Sequence, residues 1–246
     1  AYNPISNPKR ARSRQLYIID RMLENSFITA AEADAAKKQE LKIKTTANSK
    51  QVHAEYVAEM VRQLMYAQYG EETYTRGLNV QTTLRSADQD AAYRALRRGI
   101  MDFERRQIYR GPEKFVTLPA GGQELDDAID DALDDRPDNG DVMSAVVLEA
   151  DAKHIKATRQ SGEIVEITGE GLKPAQSGLS DKAPPNIKIR RGAVIRVIKT
   201  VKGAWEITQL PEVEGAFVSI DPRDGSIKAL VGGFDFAKNK FNHVTQ

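Results

Sequence analysis

The sequence predicts an α+β fold: helices through roughly the first 110 residues, then a small antiparallel β-barrel, then a closing β-hairpin. Three observations lead there. Apolar residues recur at helical spacing from Leu16 to Phe103, the period changes to two at Val142, and a Gly/Pro/Ser-rich stretch at 169–192 divides the later strands into three and two.

The elements follow in order. Asn3-Pro4 and Asn7-Pro8 bias the start toward extended or turn geometry. A helix from about Arg10 to Glu24 then places Leu16, Ile19, Met22 and Leu23 on one face. Thr29 and Glu32 form a capping-box pattern that opens a second helix running to about Gln39. Residues 41–50 are polar and aperiodic, as in a linker. From Val52 to Tyr69 the positions Tyr56, Val57, Met60, Val61, Leu64 and Met65 make a wide helical stripe expected to pack on a core, and Gly70 stops it. Gly77–Leu84 alternates as a strand does. Ser86 with Gln89 is expected to cap a long helix that turns Ala92, Leu96, Ile100 and Phe103 inward and Arg94, Arg97, Arg98, Arg105 and Arg106 outward.

Between Glu124 and Asp141 stand nine acidic residues against one arginine. Leu125, Ala128, Ile129, Ala132 and Leu133 fall at i, i+3, i+4, i+7 and i+8, so the acids form the wet face of an amphipathic helix. A calcium loop would need alternating oxygen ligands, a Gly at its sixth place and a Glu at its twelfth, and no such register exists here.

VMSAVVLEA, HIKATRQ, EIVEI, AVIRVIKTV and AWEITQL read as five strands, with hairpin turns at Ser161-Gly162 and Lys202-Gly203. One long connection between the third and fourth suits a five-stranded Greek-key barrel of the OB type. After Pro211, GAFVSIDP, a turn at Arg223-Asp224-Gly225 and SIKALVGG form a hairpin whose nearly continuous apolar residues suit a sheet buried on both faces. Two strands alone are marginal, so the hairpin calls for strands beyond this chain.

Composition bounds the function. The 246 residues suffice for one large or two smaller domains, and 40% hydrophobic with 29% charged residues is ordinary for a folded protein. A net charge of +1 selects no class of partner, and the absence of cysteine rules out disulfides and thiolate metal sites. No apolar run reaches the roughly 20 residues of a membrane span. Ala1 begins in mid-pattern without an initiator methionine, which leaves room for an anchor upstream.

No catalytic, cofactor-binding or metal site is expected. His53, His154 and His243 lack ligand spacing, and Gly121-Gly122 and Gly232-Gly233 lack the strand, loop and helix order of a phosphate site. Ser177-Gly-Leu-Ser and Asn48-Ser-Lys sit in loops or linkers without partner groups. Trp205 reads as a barrel residue. An OB-type nucleic-acid binder is the alternative suggested by the arginine-rich helix and the barrel, but Trp205 is the only aromatic residue between Val142 and Leu210, whereas base stacking generally needs several. A purely structural spacer is a third reading.

GAFVSIDPRDGSIKALVGGFDFAKNKFNHVTQ resembles the first strands of the transpeptidase domain of class A penicillin-binding proteins, where such a segment precedes the Ser-x-x-Lys nucleophile motif. YNPISNPKRARSRQLYIIDRMLENSFITAAEAD resembles the close of that family's glycosyltransferase domain through Arg14, Tyr17-Ile18-Ile19, Met22 and Phe27-Ile28-Thr29, with Ser26 where glycine is usual. The stretch from Gly77 to Pro112 resembles the region linking the two catalytic domains.

The resemblance implies residues 1–45 as the last glycosyltransferase helices, 46–110 as a linker region, 111–211 as an inserted OB-like domain and 212–246 as the start of the transpeptidase. It implies a bifunctional peptidoglycan synthase of the inner membrane, periplasmic side, acting on lipid II and peptidoglycan and anchored upstream of this chain. It further implies a scaffold role for this segment, with a periplasmic or outer-membrane lipoprotein regulator docking on the OB-like domain. No nucleic-acid partner and no cofactor are expected.

Overall fold

The computed structural model describes Pro4, residues 8–39 and residues 52–246. The expected linker at 41–50 lies outside the described residues. Two compact units emerge: residues 1–46 with 108–209, and residues 47–107 with 210–246.

In the first unit, α1 (Pro8–Glu24) and α2 (Ala30–Lys38) pack together. The predicted capping box is present: Thr29 Oγ1 accepts from the Glu32 N–H, and Glu32 Oε2 accepts from the Thr29 N–H at 2.8 Å. The turn before it is a Schellman motif, with Ser26 N–H donating to Leu23 O and Phe27 N–H to Met22 O. Ser26 takes the left-handed position of this turn at φ 59°, a conformation that favours glycine.

The β-structure runs from β1 (Lys114–Phe115) through β2 (Met143–Ala150), β3 (His154–Thr158), β4 (Ile164–Thr168), β5 (Ala193–Lys199) and β6 (Trp205–Thr208). All five predicted strands form, and β1 is an addition. The antiparallel order is β1-β5-β2-β3-β4, with β6 also on β5. Ala145 pairs with Ile195, Ile155 with Ile167 and Val197 with Ile207, and all six are buried.

The sheet does not close into the expected hydrogen-bonded barrel. β4 and β6 come near each other without pairing, and a 3₁₀ segment, Gly169–Ala175, packs against both. A Cβ on Gly171 would lie 2.3 Å from the Trp205 carbonyl oxygen, so only glycine lets that segment settle onto β6.

One face of the sheet carries Ala145, Val147, Ile155, Val165, Ile195 and Ile207; Val146 and Val194 on the other face meet Ile129, Ala132 and Leu133 of α6 (Gly122–Asp134). β2 and β5 are thus covered on both sides, which explains their unbroken apolar runs. The acidic helix forms as expected, except that Asp130 is buried and paired with Arg10. Arg196, inside the sheet, is likewise buried and grips Glu113 bidentately at 2.8 and 2.9 Å. Burial, then Glu113, pushes the Tyr109 phenol well above its ordinary range.

The second unit holds α3 (Glu55–Tyr69), α4 (Glu72–Thr75), α5 (Ser86–Glu104), β7 (Phe217–Ile220) and β8 (Ile227–Val231). Gly70 ends α3 as predicted. Only Tyr56 of the α3 stripe is buried, and Leu64 is 63% exposed, so the expected packing holds at one end of the helix alone.

Gly77–Leu84 is not a strand. It meets the backbone of β8 at its end, where Thr83 Oγ1 donates to Ile227 O, and the N–H of the following Arg85 donates to Lys228 O. Arg85, without a side-chain cap, takes the N-cap position expected of Ser86.

Gln89 has a different task. It is fully buried, its Nε2 donates to Leu230 O at 2.8 Å and to His53 O at 2.7 Å, and its Oε1 accepts the Leu230 N–H at 2.8 Å. In the β7–β8 ladder Leu230 opposes Val218 and turns its backbone groups away from β7. The Gln89 amide therefore pairs with Leu230 as a neighbouring strand would.

Arg97 also departs from its expected outward face. It is buried, with its guanidinium 4.0 Å from the Phe234 ring centre and a 3.1 Å bond to Phe234 O. β8 is covered by Ala92, Tyr93 and Leu96, whereas Phe217, Val218 and Ile220 of β7 are exposed, so this hairpin is not buried on both faces.

Candidate functional site

The long connection between β4 and β5 is only half surface. Its first part is the 3₁₀ segment and a one-turn helix, α7 (Gln176–Leu179), and Leu172, Ala175, Leu179 and Ile189 join the core beneath. Ser177 therefore lies on a helical turn rather than in a loop.

From Asp181 to Arg191 the chain is irregular and carries Lys182, Lys188, Arg190 and Arg191 against Asp181 alone. The exposed side of α6 presents the opposite sign through Glu124, Asp126, Asp131 and Asp134, with Asp134 accepting from Gln160 Nε2 at 2.7 Å. The unit thus carries both basic and acidic surface.

The last fifteen residues are ordered by close backbone approach. Tyr56 Oη donates to Asn239 O at 2.8 Å, its ring meets Phe236 edge-on at 5.0 Å, and His243 N–H donates to Gly232 O at 2.9 Å. A Cβ on Gly233 would stand 2.3 Å from Tyr56 Oη, so this glycine is required by the fit. Burial, together with Glu214, Asp235 and Glu55, pushes the Tyr56 phenol up to about 12. Beside this segment an apolar cleft of about 470 Å³ lies among Leu96, Ile100, Phe103, Val213 and Phe217.

The remaining candidates stay apart. His53 stacks on Tyr93 at 3.8 Å and lies 3.3 Å from Glu55, His154 lies 3.4 Å from Glu166, and His243 packs against Phe241. No cluster of metal-ligating side chains occurs among the described residues. Asn48 and Lys50 lie outside the described residues. Trp205 packs on the core with Lys199 Nζ 4.5 Å from its ring centre, so its face is already occupied by a cation. Sequence reasoning had passed over Arg190 and Arg191; the signal was two successive arginines after Pro184-Pro185 with one acid nearby.

The unit is an antiparallel OB-like sheet with a charged, irregular rim. Residues 109–213 match the penicillin-binding protein OB-like domain. Along its whole length the chain is 39% identical to penicillin-binding protein 1A of Neisseria lactamica, of which it covers 31%, and 34% identical to penicillin-binding protein 1A of Pseudomonas aeruginosa, of which it covers 30%. It is similar in structure to penicillin-binding protein 1A from Haemophilus influenzae, with a TM-score of 0.68 and 30% identity over 99% of this chain and 35% of the other. Along its whole length the chain is thus similar to class A penicillin-binding proteins. It spans about a third of the length of the relatives it matches.

Proposed function

We propose that this chain is the non-catalytic core segment of a bifunctional peptidoglycan synthase, one that polymerises lipid II into glycan strands and cross-links their stem peptides through a penicillin-sensitive serine. The observation that carries this is the alignment of the whole chain with penicillin-binding protein 1A, centred on the OB-like domain. In this reading residues 1–45 close the glycosyltransferase, 46–110 link the catalytic domains, 111–211 are the OB-like insert, and 212–246 open the transpeptidase sheet. The exposed β7 residues and the cleft beside Phe217 and Phe103 suit further strands and helices packing there.

The enzyme works on the periplasmic side of the inner membrane, held by an anchor; among the described residues no helix is long and apolar enough to cross a membrane. The OB-like domain serves as a docking module for a periplasmic regulator, supported by its charged rim. This chain supplies no catalytic residue. Deleting residues 111–211 from the longer synthase is expected to abolish stimulation by its regulator while sparing penicillin acylation. Unchanged stimulation refutes the docking role, and a covalent adduct between this chain alone and labelled penicillin refutes the non-catalytic assignment.

A further inference from the structure

On the OB-like unit, the segment after β1 runs as Val116-Thr117-Leu118 beside Arg190 and Arg191, enclosing an open cleft of about 340 Å³ with Phe115 on its wall. Val116 and Leu118 anchor this wall by packing toward Ile129 and Leu133, and Val116 N–H donates to Gly192 O at 2.8 Å. Thr117 is exposed and its backbone N–H and C=O have no partner among the described residues. They form a short open edge continuing the line of β1.

Both arginines are held in place by neutral groups. Arg190 lies over the Phe115 ring at 4.2 Å and donates to Pro185 O at 3.1 Å; Arg191 donates to Leu148 O at 3.2 Å and to Pro119 O at 2.7 Å. Neither meets a carboxylate among the described residues, although elsewhere on the unit Arg136, Arg159 and Arg196 all do. Two exposed guanidinium groups are therefore held by carbonyls and left without a paired carboxylate among the described residues. Arginine fixed on an aromatic face loses little freedom when it takes a carboxylate in both prongs.

We propose that this cleft binds an extended acidic peptide of a partner protein, its backbone pairing with Thr117 and two of its carboxylates taken by Arg190 and Arg191. Charge complementarity selects the acids, and the open edge selects an extended backbone. The proposal rests on the docking role of the OB-like domain and assigns that role a place and a chemistry.

The probe is a synthetic hexapeptide alternating valine and glutamate, with its glutamine analogue as control, titrated into the full chain by calorimetry and by amide NMR. Binding is expected for the glutamate peptide, with amide shifts centred on Thr117 and Leu118 and affinity falling as salt rises. Arg190→Gln is expected to weaken it by roughly tenfold, the worth of one charge-assisted hydrogen bond. Thr117→Pro, which removes an N–H with no internal partner, is expected to weaken it while leaving the circular dichroism spectrum unchanged.

Equal binding of the glutamine peptide, shifts centred away from Thr117, or an unchanged affinity in both variants overturns the proposal. So does concentration-dependent self-association lost in Arg190→Gln, which would make a second copy the occupant, or equally good competition by a free muramic-acid carboxylate. If the peptide fails to bind while deletion of residues 111–211 still abolishes stimulation, docking stands and only its placement here is lost.

Discussion

Replacing Gln89 by leucine tests whether one side chain stands in for a missing strand. The side chain is fully buried and satisfies three backbone groups: Leu230 N–H, Leu230 O and His53 O. His53 is only half-buried, so its carbonyl can recruit water, which leaves two groups of Leu230 stranded. Each costs about 1–3 kcal/mol when unpaired, while the added apolar burial of leucine returns about 1–2 kcal/mol. The net expectation is a destabilisation of about 2–3 kcal/mol of the unit built from residues 47–107 and 210–246.

Urea denaturation followed by far-ultraviolet circular dichroism measures the loss, and native-state hydrogen exchange at the Leu230 amide locates it. Gln89→Glu adds a signature that simple packing cannot mimic. An ionised carboxylate facing two carbonyls is repelled, whereas the protonated acid can donate to one of them. Its folded-state pKa is therefore raised above the unfolded value. By linkage the stability contributed by the neutral acid is full below the unfolded pKa and is lost as pH rises through the folded pKa. Gln89→Glu should approach the parent at acidic pH and fall away toward neutrality. A Gln89→Leu protein within about 0.5 kcal/mol of the parent, with unchanged Leu230 exchange, would refute the strand-mimic reasoning.

Two further expectations follow from single residues. Ser26→Gly relieves a left-handed serine at a Schellman turn and should stabilise the α1–α2 pair by roughly 1 kcal/mol, read from thermal unfolding; a loss of stability sinks the strain argument. Tyr56 and Tyr109 both have raised phenol pKa values, so two of the eight tyrosines should ionise late in a tyrosinate absorbance titration. The folded state favours the neutral phenol, so stability is full below about pH 10 and erodes as pH rises toward about 12 and beyond. Tyr56→Phe should remove one late step.

Local chemistry was legible wherever a residue's partner is close in sequence or the pattern is periodic. The Thr29–Glu32 capping box, the Gly70 stop, the amphipathic acidic helix and all five strands from Val142 to Leu210 fall in that class. The same patterns misled where a distant element decided the outcome. Gln89 looked like a cap because Ser86 precedes it at capping distance, yet its partner is Leu230, 141 residues away. Arg97 looked exposed because it shares a helix with Arg94 and Arg98, yet the Phe234 ring and carbonyl lie over it. Gly77–Leu84 alternates like a strand, but a strand exists only if another backbone pairs with it, and this segment meets β8 through one side-chain bond, from Thr83.

The candidate cleft was the least legible feature. Arg190 and Arg191 were visible as basic residues in a Pro-rich connection, but nothing along the chain says that Phe115, 75 positions earlier, would lie under one of them. Nor does it say that the carbonyls of Pro119 and Leu148 would hold the other.

The sequence by itself determined the α+β class, the five strands from Val142 to Leu210 and the family resemblance of its two ends, because helical and strand periods, caps and short motifs are properties of neighbouring residues. Only the tertiary structure decided that the barrel stays open, that Gln89 completes a sheet edge and that two arginines stand ordered without a carboxylate. Those outcomes depend on which buried polar groups find partners across the fold, a condition that burial imposes and the linear order of residues does not contain.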